Sequence, residues 1–298
     1  MKVAVTGAGG LLGAALVNCL AAGGQRVLAM SRSPGTVASD NVVRWDAADD
    51  WRQTARALVG VDVVVHTAAY IPRDHSDASE ALRCLEVNGI GTLNLLRAAE
   101  LADVRRFVYV SGSNTLKPRA DRVREDDPIG CEHAPYYLGS KVVGEIYVRA
   151  AMEQGLETLV VRPSSIYGPG MTGGVLATFA NRLRDGLPIR LNNGGRFQAD
   201  YVWRSDVVEV LARCAVDHRR GALNLGAGTV TSLREVAHLL CEVLGADPGL
   251  VTVEPAGDET RTTGFAAIDI ARAREWYAFA PTSLRDGLKV WFGASGTP

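Results

Sequence analysis

Apolar residues in this chain gather in short unbroken runs. "VAVT" at 3–6, "RVLAM" at 26–30, "VVRW" at 42–45, "VDVVVH" at 61–66, "RFVYV" at 106–110 and "TLVVR" at 158–162 each have the length and β-branched character of a strand. Continuous hydrophobicity, as opposed to strict alternation, marks strands covered on both faces. Between these runs the period becomes helical. Residues 11–22 form one such segment, closed by Gly23 and Gly24, and residues 79–101 form another, with Leu82, Leu85, Leu93 and Leu96 marking its apolar face. Strands alternating with helices predict an α/β fold built on a doubly wound parallel sheet.

The first strand runs into "VTGAGGLLG", where Gly7, Gly10 and Gly13 stand three apart and a helix opens at Leu11 and Leu12. The first glycine allows the tight turn, the second lets backbone N–H groups approach a pyrophosphate, and the third permits close helix packing. Within a βαβ unit this arrangement points to a dinucleotide and a Rossmann sheet. The second strand then ends in Ser31, Arg32 and Ser33. An NAD enzyme commonly carries an acid there to hold the ribose 2′-hydroxyl, whereas arginine and hydroxyls suit a 2′-phosphate. NADP is therefore the expected cofactor and NAD the alternative; Arg32 as a plain solvated loop cation is the competing reading. After "SSIYGPG" at 164–170 the alternation weakens. The expected division is a Rossmann domain over 1–167, with segments near 200–228 returning to it, and a smaller C-terminal substrate lobe over 168–298.

Composition narrows the partners. The chain has 298 residues, 47% of them hydrophobic, and a formal charge of −1. It has no Lys/Arg run, which gives no footprint for nucleic acid or an anionic membrane surface. Cys19, Cys84, Cys131, Cys214 and Cys241 are odd in number and scattered, and the five histidines show no ligand spacing. Reduced thiols, a cytoplasmic location and no structural metal are the expectation. The amino terminus is a poor signal peptide, no apolar stretch has membrane-spanning length, and the tail "GASGTP" reads as a loose end.

"APYYLGSK" at 134–141 places Tyr137 and Lys141 four apart, on one face of a helix opening after Pro135; Tyr136 points elsewhere. With the glycine loop, this pair makes the chain resemble an extended short-chain dehydrogenase/reductase of the sugar-nucleotide epimerase/dehydratase superfamily. The resemblance runs almost end to end. "RWDAAD" resembles the segment whose acid, here Asp46, contacts adenine. "VDVVVHTAA" resembles the strand that passes Ala68 and Ala69 by the cofactor, and "EVNGIGTLNLLRAAE" carries the family's helix asparagine as Asn88. "VVRPSSIYGPG" matches the segment after the sixth strand, with Pro163 at the cofactor and Ser165 where an asparagine often meets the sugar nucleotide. "GALNLGAGTVTSLREVAHLL" and "FAPTSLRDGL" match the carboxy-terminal lobe.

The resemblance implies roles. Tyr137 is the general acid/base and Lys141 serves both it and the nicotinamide ribose; an ammonium nearby would favour the phenolate. The third catalytic residue is ordinarily a Ser or Thr at the end of the fifth strand, and that position falls on Gly112, between Ser111 and Ser113. Ser113 is the expected replacement, with Ser111 as a strand-end residue near the nicotinamide. No acid pair follows, which disfavours a 4,6-dehydratase. The arginine that grips a nucleotide diphosphate is replaced by Ala199, leaving Arg196, Arg204 or Arg261 to compensate, Arg196 being the nearest. The expected activity is an NADP-dependent oxidoreductase on a sugar-like or nucleotide-sugar substrate. An epimerase is the close alternative, and a non-catalytic NADP-sensing protein the alternative of another class. A homodimer through helices at 79–101 and 137–154 is implied by the resemblance.

Overall fold

The six apolar runs become strands of one sheet in a computed structural model that describes residues 1–37, 39–75, 77–119, 121–255 and 263–293. They are β1 (Lys2–Thr6), β2 (Arg26–Ser31), β3 (Val42–Arg44), β4 (Val63–His66), β5 (Arg106–Val110) and β6 (Glu157–Pro163), joined by β7 (Gly221–Leu225). The order across the sheet is β7-β6-β5-β4-β1-β2-β3. The pairings from β3 through β6 are parallel, with Val3 opposite both Val27 and Val63. Every residue of β4 and β5 is buried, as unbroken hydrophobicity requires when both faces are covered.

The chain divides into two compact units. The first comprises 1–117, 125–163 and 207–224, and holds the seven-stranded sheet and a core around Leu28, Leu58, Val64, Leu95, Phe107 and Val160. The expected boundary at 167 lies at 163 instead, and the returning segment narrows from 200–228 to 207–224. Gly221–Leu225, within the segment expected to return, is the seventh strand of this sheet. Arg106, wholly buried in β5, fastens the return: its Nε donates to the Cys214 carbonyl at 2.8 Å, and its Nη2 to Asp217 and to the Arg219 carbonyl, each at 2.8 Å.

One helical expectation needs correction. Residues 79–101 are an α-helical turn at Ala81–Cys84, a π-helical turn at Leu85–Ile90 and an α-helix at Gly91–Leu101. A π turn carries an extra residue and rotates the face that follows it. The buried stripe therefore runs through Cys84, Asn88, Thr92, Leu95 and Leu96, while Leu82 is 66% exposed.

The second unit comprises 118–124, 164–206 and 225–298. Its core gathers Tyr167, Leu183, Trp203, Val236, Leu240 and Leu288. Phe197–Ala199 pairs with Thr231–Ser232 antiparallel and with Thr263–Gly264 parallel. Asp200 ties this unit's loops together. Its carboxylate accepts from Ser164 Oγ at 3.0 Å and from the backbone N–H groups of Ala227, Gly228 and Ile268 at 2.6, 3.0 and 3.0 Å. Residues 294–298, most of the expected loose tail, lie outside the described residues. No helix among the described residues is long and apolar enough to cross a membrane.

Candidate active site

The glycine loop has the backbone that its sequence demands. Gly7 sits at φ 69°, and a Cβ there would lie 2.7 Å from the Ala68 backbone; a Cβ on Gly13 would collide with the Gly7 carbonyl. The helix Leu11–Ala22 opens with Gly10 as N-cap and no side-chain cap. The first-turn amides, among them those of Leu11 and Leu12, therefore keep their orphan donors for an anion. A pyrophosphate fits this cradle. Ala68, just beyond β4, donates its N–H to Thr6 Oγ1 at 3.4 Å, and Thr67 Oγ1 donates to the Thr6 carbonyl at 2.7 Å.

At the end of β2, Ser31 is buried and its Oγ accepts from the Ser33 N–H at 3.3 Å. Arg32 is exposed, with no hydrogen bond or ion pair among the described residues. The neighbouring acids are already engaged. Asp49 pairs with Arg44 at 3.2 Å and accepts the Asp46 N–H at 2.7 Å, while Asp46 accepts the Ala48 N–H at 3.0 Å. Among the described residues, no carboxylate is bound to Arg32 to oppose a 2′-phosphate.

Tyr137 and Lys141 stand on the helix Pro135–Glu153, with Pro135 in its first turn. Lys141 is 3% exposed, and its Nζ lies 4.5 Å from the Tyr109 ring centroid. Burial pushes its pKa down to about 7, against the pull of Glu145 one turn on. Glu145 is itself held bidentately by buried Arg162, at 2.9 and 2.6 Å. Burial also pushes the Tyr137 phenol up to about 12, and the Cys84 thiol acts in the same direction. The depressed phenol expected from a neighbouring ammonium is thus absent in the free protein, where burial and the Cys84 thiol both act upward. The Tyr137 phenol is therefore protonated near neutrality. The His75 ring lies against it, centroids 4.7 Å apart.

The turn after β5 places Ser111 and Ser113 about Gly112. Gly112 is extended (φ −157°, ψ 144°), which sends the flanking side chains to one side of the chain and position 112 to the other. Both serines are buried, and neither Oγ has a partner among the described residues. A buried hydroxyl left so costs about 1–3 kcal/mol. A Cβ on Gly112 would meet no atom within 4 Å.

These groups, with Asn88 on the π turn and Pro163 ending β6, all belong to the first unit. Gly7, Ser31, Ala68, Ala69, Gly112 and Pro163 lie at the carboxyl ends of its strands, where open α/β sheets bind ligands. Ser165, Ala199, Arg196 and Arg204 belong to the second unit. Ser165 is half-buried and pairs with Tyr201 across a parallel bridge, Ala199 is buried in that unit's core, and Arg196 follows the 3-10 turn Asn193–Gly195. Arg204 Nη1 donates to the Pro169 carbonyl. Arg261 lies outside the described residues. Sequence reasoning missed His66, His75, Ser140 and Glu145. Only Glu145, four residues beyond Lys141, carried a local signal.

Residues 3–226 match the NAD dependent epimerase/dehydratase family. The chain is 30% identical over 309 residues to the UDP-glucose 4-epimerase of Mycolicibacterium smegmatis, covering 97% of this chain and 96% of that protein. It is 28% identical over 321 residues to the dTDP-4-dehydro-6-deoxy-D-allose reductase of Streptomyces bikiniensis, covering 97% and 95%. Among solved structures, MoeE5 in complex with UDP-glucuronic acid and NAD superposes with a TM-score of 0.85 at 27% identity over 98% of each chain. The Thermus thermophilus UDP-glucose 4-epimerase complex with NAD does so with 0.83 at 25% identity over 100% of each.

Proposed function

Because the chain belongs to the NAD-dependent epimerase/dehydratase family, we propose that it is an NADP-dependent oxidoreductase acting on a keto or hydroxyl carbon of a sugar-like substrate, with net reduction its working direction. Arg32 carries the reading: an exposed, unengaged guanidinium at the end of β2, where no carboxylate competes. NADPH is the usual reductive pool, so a site for the 2′-phosphate favours reduction.

The dinucleotide supplies the hydride when bound, cradled by Gly7, Gly10, Leu11, Leu12 and Gly13, with Asp46 at the adenine and Ala68, Ala69 and Pro163 toward the nicotinamide end. Tyr137, protonated near neutrality, donates its proton to the carbonyl oxygen as that oxygen gains charge. Lys141 orients the nicotinamide ribose and, charged, stabilises the phenolate left on Tyr137. Ser113, with Ser111 beside it, donates a hydrogen bond to the same carbonyl, which satisfies a hydroxyl otherwise unpaired.

A second reading, epimerisation, is favoured by the end-to-end likeness to a UDP-glucose 4-epimerase. The two differ in balance: a reductase consumes one NADPH per product, an epimerase none. Incubating the protein with NADPH and a panel of free and nucleotide-linked keto sugars, followed at 340 nm and by mass spectrometry, decides between them. Stoichiometric NADPH loss with a product heavier by two hydrogens is expected; isomerisation without NADPH loss would overturn net reduction. Equal affinity of the protein for NADH and NADPH would remove the NADP assignment.

The substrate's nucleotide is proposed to be held by Arg196 and Ser165. Arg196→Ala is expected to weaken UDP or dTDP binding at least tenfold by calorimetry, or ~1.4 kcal/mol. If neither nucleotide binds at millimolar concentration, the substrate is a free sugar or another hydroxy-ketone. A cytoplasmic homodimer completes the reading. The exposed Leu82, Leu101 and Ile146 on the two helices named above support that pairing, and sedimentation would reveal it.

A further inference from the structure

A buried series of hydrogen bonds runs from the strand that opens the glycine loop to the helix that carries Tyr137. Thr6, the residue before Gly7, accepts the Ala68 N–H and lies 2.6 Å through its Oγ1 from His66 Nδ1. His66 Nε2 is 3.1 Å from Thr92 Oγ1, and Thr92 donates to the Asn88 carbonyl at 2.7 Å. The Asn88 side chain continues the series: Nδ2 donates to Ser140 Oγ at 3.0 Å, and Ser140 donates to the Tyr137 carbonyl at 2.6 Å. The same amide clamps the Tyr70 backbone, accepting its N–H at 2.8 Å and donating to its carbonyl at 3.0 Å.

The proton positions follow from counting donors. A threonine hydroxyl carries one proton; the Tyr109 hydroxyl also meets Thr92, but the Asn88 carbonyl at 2.7 Å takes the proton of Thr92. Thr92 Oγ1 can then only accept from the imidazole, so the ring proton sits on Nε2. Nδ1 is bare and accepts from the Thr6 hydroxyl. Protonation of the ring is opposed from every side. His66 is 1% exposed, Trp45, Phe107 and Tyr109 surround it, and Lys141 is the charge that acts on it. Burial first, and Lys141 second, push its pKa down to about 3. Each donor is used once and the series has one polarity.

The π turn makes the series possible. Leu85–Ile90 departs from α geometry between two α-helical stretches. One extra residue in a turn shifts the helix phase by roughly 100°. In this phase Asn88 faces Tyr70 and Ser140 with its side chain and Thr92 with its carbonyl.

We propose that this relay, with His66 held as the neutral Nε2–H tautomer at its centre, is the device that sets Tyr137 against the dinucleotide loop, making His66, Thr92 and Ser140 positioning residues for the reaction. The inference rests on Tyr137 being the acid of the proposed function. It assigns the three residues an action through Tyr137 only; none touches substrate.

Two arms test it on the full chain. In the kinetic arm, Ser140→Ala and Thr92→Val are each expected to lower kcat at least tenfold while the NADPH dissociation constant moves less than twofold. Thr92→Ser, which keeps the hydroxyl, should recover to within threefold of the native rate. The double variant Thr92→Val/Ser140→Ala should lose little more than the worse single one, as members of one network do. Multiplying losses, or a Thr92→Ser variant as slow as Thr92→Val, would overturn the relay. The second arm needs no turnover: ¹⁵N NMR of histidine-labelled protein, with the His66 ring assigned through His66→Gln. A protonated Nε2, a bare Nδ1 and shifts unchanged from pH 5 to 9 are expected. A proton on Nδ1, or a ring that titrates in that range, would overturn the proposal. Native turnover in Tyr137→Phe would instead overturn the functional reading, and the imidazole's protonation would still decide the relay.

Discussion

The imidazole of His75 lies against the ring of Tyr137, centroids 4.7 Å apart and planes tilted by 36°. It covers a phenol whose pKa is raised by burial. His75, exposed on its outer side, is kept toward neutrality by partial desolvation and by His133, against the pull of Asp74. Removing the ring lets water reach Tyr137 and lowers the phenol's pKa. Since the proposed reduction needs the protonated phenol, His75→Ala is expected to move the alkaline limb of the kcat/KM profile to lower pH. An unmoved limb would mean that His75 does not contribute to the burial of Tyr137.

In the proposed reaction, Tyr137→Phe removes the proton path and almost no packing. Turnover should fall by about 10²–10⁴-fold, the usual worth of a general acid, with NADPH affinity nearly intact. Lys141→Ala should harm both quantities. Rapid-mixing kinetics and a fluorescence titration separate them.

Lys141 carries a stability cost with a defined pH window. Its folded pKa, about 7, lies below the unfolded value of 10.5, so between these the unfolded chain binds the extra proton and stability rises with pH. Below pH 7 the full penalty of the buried charge is present. Lys141→Met should therefore stabilise the free protein at pH 6, on the order of 2 kcal/mol or more at ~1.4 kcal/mol per pKa unit, and the gain should vanish by about pH 10.5. Denaturant melts at the two pH values read this directly; a gain independent of pH would refute the cause.

Arg32→Ala should weaken NADPH binding by about 1.5–3 kcal/mol, the range for hydrogen bonds to charged groups, and leave NADH binding almost unchanged. Equal losses for both cofactors would show that Arg32 does not contact the 2′-phosphate.

Legibility in the sequence followed the range over which each constraint acts. The strands with continuous apolar runs, β1 through β6, were readable because burial on both faces is written residue by residue. The strand "GALNL" was not read as one from its pattern, since Asn224 interrupts the run; only the expected return of 200–228 to the Rossmann domain pointed to it, and it joins the sheet beside β6 from roughly sixty residues further on. The glycine loop was readable because the demands on Gly7 and Gly13 are local and steric. The apolar face of 79–101 was misjudged because a period of 3.6 cannot register a π turn. His66 was invisible: its partners Thr6 and Thr92 lie 60 and 26 residues away, and no spacing rule joins them. His75 meets Tyr137 only because the loop after β4 and the Pro135–Glu153 helix come together.

The Arg106 fastening bears on how the chain is made. Its partners at Cys214, Asp217 and Arg219 emerge from the ribosome more than a hundred residues after it does. Until then the only carboxylate beside its guanidinium among the described residues is Glu157, 3.9 Å from Nη1, and the three acceptors within hydrogen-bond distance are still to come. A fragment cut at residue 167, where the sequence pattern invites a domain boundary, would keep that strand and Glu157 but discard β7 and the hydrogen-bond acceptors at Cys214, Asp217 and Arg219. Breaking a buried ion pair from one side costs about 3–5 kcal/mol, a large share of what a domain has to lose. Such a fragment is expected to be insoluble or molten, and the first unit to complete its folding late in translation, after residue 224 has cleared the exit tunnel, through contacts of long sequence separation that form slowly.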